Sequence, residues 1–357
     1  MNRTLLFFVI CACLVGTSVA QIPAGYSTVS VGQQYIAADA GSTIIVAPEF
    51  QPPTVGTFSI SAVTSSGTNS TLTLAGTPPL DSYGAPVLAN SYNQKVYPVY
   101  YALVTDGALK GNFYSVLSNT KKTLLINNKG TALTAASVKS IDLRPYWTLE
   151  SLFPADAEGL AFIGTNSTSS VMTQLVVSPT TISGNQQPQD VGKKFYFNSS
   201  LKNWVSTEKP TVPAGGVIVP PGRYLYFQNT GNGTYPVDSY IAGTVLKTQL
   251  NVPLYSSSNQ TLTTLFALPR ASDYKLSTIG LNDLNFSSKA TGSTEDFFIV
   301  DDGFGGVGAT YYRKANKWYL VGYELPVDSV IASGTCYGVL KPKSASGNKV
   351  LINQNNK

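Results

Sequence analysis

Lys193-Lys194-Phe195-Tyr196-Phe197-Asn198, then Asn203-Trp204, then Pro213-Ala214-Gly215-Gly216-Val217-Ile218-Val219-Pro220-Pro221-Gly222 reads as one unit. It is an aromatic strand, a short polar turn, a Trp, a Pro-led loop and a Val-Ile strand ending at Gly. The same order returns in Ala309-Thr310-Tyr311-Tyr312-Arg313-Lys314, Lys317-Trp318 and Pro326-Val327-Asp328-Ser329-Val330-Ile331-Ala332-Ser333-Gly334. Aromatic and β-branched residues suit a pleated, half-buried surface, and Pro and Gly punctuate it. Each copy follows a short helix-like element. One is Thr148 to Phe153, with Thr148 in capping position and Pro154 behind it. The other is Lys275 to Leu281. These anchors set a repeat of about 80 to 90 residues.

Composition points the same way. The chain has 357 residues, enough for two or three domains with real cores, and only 12% are charged. Abundant Tyr, Thr, Ser, Val and Gly predict an all-β fold of consecutive β-sandwich-like modules with only short helical turns. The net charge of +5 is mild and no Lys/Arg block occurs, which argues against nucleic acid as a partner.

The N-terminus reads as a secretion signal. Asn2-Arg3 is a positive start, Leu5 to Val15 is apolar, and Ser18-Val19-Ala20 is a small-residue cleavage site. The mature chain is expected to start near Gln21, secreted or at the cell surface, without a transmembrane helix. Cys11 and Cys13 leave with the signal, so Cys336 remains alone and no internal disulfide forms. The chain has no His, which excludes Ser-His-Asp and Cys-His catalysis and His-ligated metals. Carboxylate chemistry and oxygen-ligated Ca²⁺ survive that exclusion.

Taken in order, the expected organisation is a signal peptide at 1–20 and an N-terminal β-hairpin module at 21–147. A first copy follows at 148–235, a connecting strand at 236–272, and a second copy at 273–357. In the N-terminal module Phe58, Ile60 and Ala62 alternate against Leu72 and Leu74. A second hairpin places Tyr97, Val99, Tyr101 and Leu103 on one face, with Phe113, Ser115 and Leu117 returning. Thr77 to Gln94 reads as a loop. Tyr240 to Leu254 reads as one long alternating strand, and Lys349 to Asn353 as the last strand.

With these elements in view the chain resembles a Verrucomicrobia-type family of conserved hypothetical secreted proteins. The resemblance rests on Gly25-Tyr26, on the hairpin from Tyr100 to Tyr114, on Thr148 to Phe153, and on the two Tyr…Trp…Val-Ile hairpins. It implies duplicated β-modules and secretion. The family has no established activity, so it implies no catalytic residue.

Two groups of residues are candidate sites. Trp204 and Trp318, with Tyr196 and Tyr311, can stack on sugar rings of an extracellular polysaccharide. The competing reading has each Trp close its hairpin by packing across from its Tyr. Asp296, Asp301 and Asp302 precede Gly303-Phe304-Gly305-Gly306 and offer hard oxygen ligands for Ca²⁺. The competing reading there is a Gly-rich turn with solvated acids. Asn-x-Ser/Thr triplets, among them those beginning at Asn69, Asn166, Asn198 and Asn285, each read equally as ordinary turns. The leading expectation is a non-enzymatic surface or extracellular structural protein, self-associating as a homo-oligomer. The alternative is a polysaccharide-binding module using the hairpin Trp residues.

Overall fold

Strands form wherever short apolar alternations lie between turn residues, and among the described residues helix is limited to single turns, so the fold is all-β. The computed structural model describes residues 31–39, 41–76, 89–92, 95–98, 100–154, 173–183, 186–229, 237–283, 285–288, 295–302, 307–342 and 349–353. The expected signal segment lies outside them. Residues Val31–Lys357 gather into one compact unit.

Residues 56–145 close into a six-stranded antiparallel barrel. Ser140–Pro145 pairs with both Gly56–Ser66 and Tyr100–Asp106 and so seals it. The interior is apolar: Phe58, Leu72, Leu74, Ala102, Val104, Tyr114, Val116, Leu124, Ile126, Ile141 and Leu143. The expected alternation on the first strand holds only to Ile60. A register shift between Ile60 and Ala62 turns Ala62 to solvent and brings Val63 partly inward. A bulge exchanges the two faces of a strand in this way.

In the second hairpin Tyr101 and Leu103 share a face as expected, and it is the one outside the barrel. Ala102 and Val104 fill the barrel, while Tyr101 and Leu103 pack outward against Tyr146, Leu246 and Leu250. On the return strand Tyr114 and Val116 are buried, not Phe113, Ser115 and Leu117. The strand is apolar on both faces because both are covered, which removes the two-residue signal. Within the expected loop 77–94, Ala89–Tyr92 is a strand paired with Lys95–Pro98.

Two larger sheets carry the rest. In the first, Lys209–Pro213, Asn203–Ser206, Lys193–Asn198, Thr173–Val177, Leu225–Asn229 and Thr43–Val46 lie side by side. In the second, Pro326–Val327, Lys317–Leu320, Val307–Lys314, Phe297–Asp301, Cys336–Lys341 and Leu262–Ala267 lie in that order, with Thr181–Ser183 beyond the last. The small ribbons also correspond. Val31–Ala38 pairs with Val237–Thr244, and Leu250–Leu254 pairs with Lys349–Asn353. Trp147–Thr148 pairs with Ile218–Val219, and Tyr274–Lys275 with Val330–Ile331. The Leu149 amide donates to the Val217 carbonyl, and the Leu276 amide to the Ser329 carbonyl, each at 3.1 Å.

The short helical elements form as the sequence predicts. Leu149–Leu152 is one turn, with the Thr148 hydroxyl accepting from the Ser151 amide and the Ser151 hydroxyl accepting from the Thr148 amide. Leu276–Thr278 is a 3-10 turn. The expected long strand from Tyr240 to Leu254 is instead two strands, Val237–Thr244 and Leu250–Leu254, serving different ribbons. The two pieces have opposite parity: Tyr240 and Ala242 are exposed with Ile241 buried, whereas Leu250, Val252 and Leu254 are buried, so the even-numbered residues do not share one inner face. The sheets also draw strands from beyond the expected boundaries. Thr43–Val46 completes the first sheet and Leu262–Ala267 the second.

Each sheet buries one face against its ribbons. Leu149, Leu152, Phe153, Phe195, Phe197, Trp204 and Phe227 form one core, and Leu276, Ile279, Phe298, Tyr311, Trp318 and Tyr337 the other. The opposite faces meet through Val176, Tyr224, Tyr226, Leu265, Ala267 and Cys336.

The barrel joins the first module at a buried polar junction. Arg144 donates to the Asp142 carboxylate at 3.1 Å, to the Pro52 carbonyl at 3.2 Å and to the Thr244 hydroxyl at 3.2 Å. The Thr57 hydroxyl donates to the other Asp142 oxygen at 2.6 Å. Removing one partner strands the other charge away from water. Arg144→Met is expected to lower stability by about 3–5 kcal/mol, whereas Asp142→Leu/Arg144→Met loses much less. Urea unfolding of the two variants beside the parent checks this.

Candidate functional site

The aromatic candidates are core residues. Trp204 is 1% exposed, and its indole N–H donates to the Phe153 carbonyl at 2.9 Å. Its ring meets Phe153 and Phe197 edge-on. Trp318 is 5% exposed and packs against Phe286 and Phe298. Tyr196 and Tyr311 are buried as well. None of the four presents a ring face to a sugar, so stacking on polysaccharide by these residues is set aside. The expected cross-strand partners are also corrected. Trp204 stands opposite Phe197, with Tyr196 opposite Val205 on the other face. Trp318 stands opposite Arg313, whose guanidinium lies 5.8 Å from the indole centroid.

The three acidic candidates separate. Asp296 is buried and ion-paired to Lys341, which also donates to the Asn285 carbonyl at 3.0 Å. The Ser287 amide donates to the same Asp296 carboxylate at 2.9 Å. With these contacts Asp296 is committed to the fold and is withdrawn as a Ca²⁺ ligand. Asp301 and Asp302 stay together at the end of Phe297–Asp301. The Gly run at 303–306 lies outside the described residues. Among the described residues no group of three or more His, Cys, Asp or Glu is placed to hold a metal, and no helix is long and apolar enough to cross a membrane.

Two of the Asn-x-Ser/Thr triplets are occupied turns. The Asn198 side chain accepts from the Ser200 and Leu201 amides at 3.0 and 2.9 Å. Asn285 donates to the Gly280 carbonyl at 3.0 Å and accepts from the Asn282 amide at 2.8 Å. Both side chains are buried in these roles.

Among the described residues a cleft lies where the backs of the two sheets meet. Its volume is about 290 Å³, and Ile182, Leu265, Ile299 and Leu340 line it together with Tyr224, Tyr226, Asp301 and Cys336. A smaller cleft of about 200 Å³ adjoins it through Asp301 and Cys336 and adds Asp302, Gly334 and Thr335. Strand parity builds the larger one. Leu225 and Phe227 point into the first core, which leaves Tyr224 and Tyr226 for the opposite face. Gly338 belongs to the lining of that cleft where the wall is tightly packed, since a Cβ there would meet the Thr263 methyl at 2.8 Å. At the rim, Gln186 accepts from the Ser183 amide and hydroxyl at 3.1 and 3.0 Å and so fixes its own loop.

Sequence reading found Asp301 but not Tyr224, Tyr226 or Gln186. The Tyr224-Leu225-Tyr226-Phe227 alternation was visible, yet it does not reveal that a second sheet covers the tyrosine face. Burial pushes the pKa values of Tyr224, Tyr226 and Cys336 up, and the Asp301 carboxylate adds to the rise at each. No protein-family model matches the chain, and no curated protein or solved structure matches it either.

Buried acids with raised pKa values make stability fall at alkaline pH. Burial raises Tyr101 and Tyr274, and it pushes Tyr146 up to about 12. The unfolded chain loses these protons first, from the ordinary thiol value of 9.0 and phenol value of 10.0 upward. The stabilisation is therefore complete below that range and is lost as pH rises through it toward the folded values. Urea midpoints are expected to hold steady at neutral pH and drop above it. Buried phenols should ionise together with unfolding, and Cys336 should react with a thiol reagent only in denaturant.

Proposed function

We propose that the chain is a secreted, non-enzymatic structural protein that pairs with a second copy of itself at the outer end of the seven-stranded sheet. The observation that carries this is a run of exposed apolar side chains there. Val321, Tyr323, Leu325 and Val330 are 48%, 63%, 77% and 64% exposed within one short segment. Isolated exposed hydrophobics are ordinary, but a contiguous group marks an interaction surface. The equivalent end of the first sheet supports the contrast. There Lys209–Pro213, preceded by Glu208, puts Lys and Pro on the rim, which is how edges are kept from associating.

A second copy fits the rim because the patch complements itself. Exposed Lys314 and Lys317 flank the apolar run on one side and Glu324 sits within it. A two-fold pairing brings Glu324 of one copy toward the lysines of the other while Leu325 and Tyr323 bury each other. Tyr323→Ser/Leu325→Ser is expected to convert a dimer into a monomer with unchanged circular dichroism, read by light scattering after gel filtration. A monomeric parent protein at micromolar concentration removes the proposal. The matched strand orders of the two modules also favour their descent from one ancestral module, with the barrel inserted into the first.

A polysaccharide-binding reading keeps one supporting observation, at a different place from the hairpin Trp residues. Tyr35 and Tyr240 are cross-strand partners on the Val31–Ala38 ribbon, with ring centroids 5.1 Å apart and exposures of 56% and 58%. Such a pair offers apolar ring area to a sugar face. On that reading Tyr35→Ser/Tyr240→Ser abolishes retention on an insoluble glucan while Trp318→Phe does not. Equal retention by both variants assigns the pair to the ribbon alone.

A further inference from the structure

In the second sheet an amine and a carboxylate meet away from water. Lys341 and Asp296 form an ion pair, and their side chains are only 7% and 6% exposed. Strand register brings them together. Phe297 stands opposite Leu340 on the paired strands Phe297–Asp301 and Cys336–Lys341, so Asp296 and Lys341 follow at the same end of the pair. Neighbouring backbone groups hold both in place. The Asp296 amide donates to the Ser287 carbonyl at 3.3 Å, and the Ser287 amide donates to the Asp296 carboxylate at 2.9 Å. The Lys341 ammonium also donates to the Asn285 carbonyl at 3.0 Å. Phe286, between Asn285 and Ser287, and Phe298, two residues beyond Asp296, both belong to the apolar core of this sheet.

We propose that Lys341 and Asp296 condense into a side-chain amide, an isopeptide bond that ties the start of one strand to the end of its neighbour. Away from water, a proton passed from the ammonium to the carboxylate leaves a neutral amine beside a neutral carboxylic acid, and neither then carries an unsolvated charge. The amine Nζ is a nucleophile in that form and the acid Cγ an electrophile. A bond forms from Nζ to Cγ, and the Ser287 amide steadies the charge that develops on the carboxyl oxygen. One carboxyl C–O bond then breaks. Its oxygen leaves as water with two of the three ammonium hydrogens, and the third stays on the amide nitrogen. Nothing is oxidised or reduced, and no co-reactant is needed. The fold supplies what the reaction lacks in solution, because the reacting groups are already in contact and water is kept out. The buried pair of Arg144 and Asp142 makes a contrast, since a guanidinium keeps its proton and stays an ion. Among the described residues Cys336 is a free cysteine, and the amide gives this sheet a covalent brace that needs no pair of cysteines.

The test is mass spectrometry of the full chain, purified folded, then denatured and digested with trypsin. Trypsin cuts after Lys289, Arg313, Lys317 and Lys343 but spares Lys341, which precedes Pro342. The expected product is a branched peptide joining residues 290–313 to residues 318–343, one water lighter than the two together. The intact chain is likewise expected to be one water lighter than its sequence from the observed N-terminus. Lys341→Arg keeps the positive charge without the reactive amine and is expected to give the two peptides separately. Two separate peptides from the parent chain overturn the proposal, as does a branched peptide that persists in Lys341→Arg. A denatured species of twice the chain mass that carries the branched peptide places the bond between two copies and overturns the link within one chain. The digest of the parent decides the matter even if the variant fails to fold.

Discussion

The buried guanidinium of Arg144 is the constraint on which the arrangement depends. A charge taken out of water must be compensated on the spot. Arg144 finds its compensation in three separated parts of the chain: Pro52, Asp142 and Thr244. One precedes the barrel, one lies in its last strand, and one ends the strand that closes the first module. The Gln51 carbonyl accepts from the Thr244 hydroxyl at 3.2 Å, and the Tyr101 hydroxyl donates to the Gln51 side chain at 3.1 Å. The ion pair with Asp142 lies within one barrel strand, but the bonds to Pro52 and Thr244 reach outside the barrel, and a different docking breaks both.

The barrel can sit where it does because its entrance and exit are neighbours. The Val55 amide donates to the Leu143 carbonyl at 2.8 Å, and the Thr54 hydroxyl donates to the same carbonyl at 3.1 Å. The host module thus meets the barrel as little more than a long closed loop, and loop closure costs grow only slowly with length. At the far side, the Asn251 amide donates to the Gly111 carbonyl at 2.9 Å, and the Asn251 side chain donates to the Lys110 carbonyl at 2.9 Å. Gly111 is at φ +91, and a Cβ there would meet Asn251 at 2.6 Å, so this close approach requires glycine. The second module's ribbon braces the barrel through that contact.

Much of the local structure was legible in the sequence. The all-β class, the Phe58…Leu74 hairpin, the Thr148 cap and the strand Lys349–Asn353 follow from alternation and turn chemistry. What escaped was anything set by pairing between distant segments. Nothing near Thr43 says that its strand joins Leu225–Asn229, and nothing near Tyr240 says that the chain breaks there to serve two ribbons. The Trp residues were visible, but whether a ring on a strand meets solvent depends on what lies above it. Phe153 covers Trp204 and Phe286 covers Trp318. The acidic candidates show the same limit. Asp296 and Asp301 look alike in sequence, yet Lys341 neutralises the first while the second borders the cleft.

The Val31–Ala38 strand waits for Val237–Thr244 before it has a partner. A chain emerging from its N-terminus must therefore thread an entire barrel and most of a sheet before its first strand pairs. Contacts so far apart in sequence make folding slow and leave an unpaired strand exposed meanwhile. That delay is a hazard for a protein that folds as it is made.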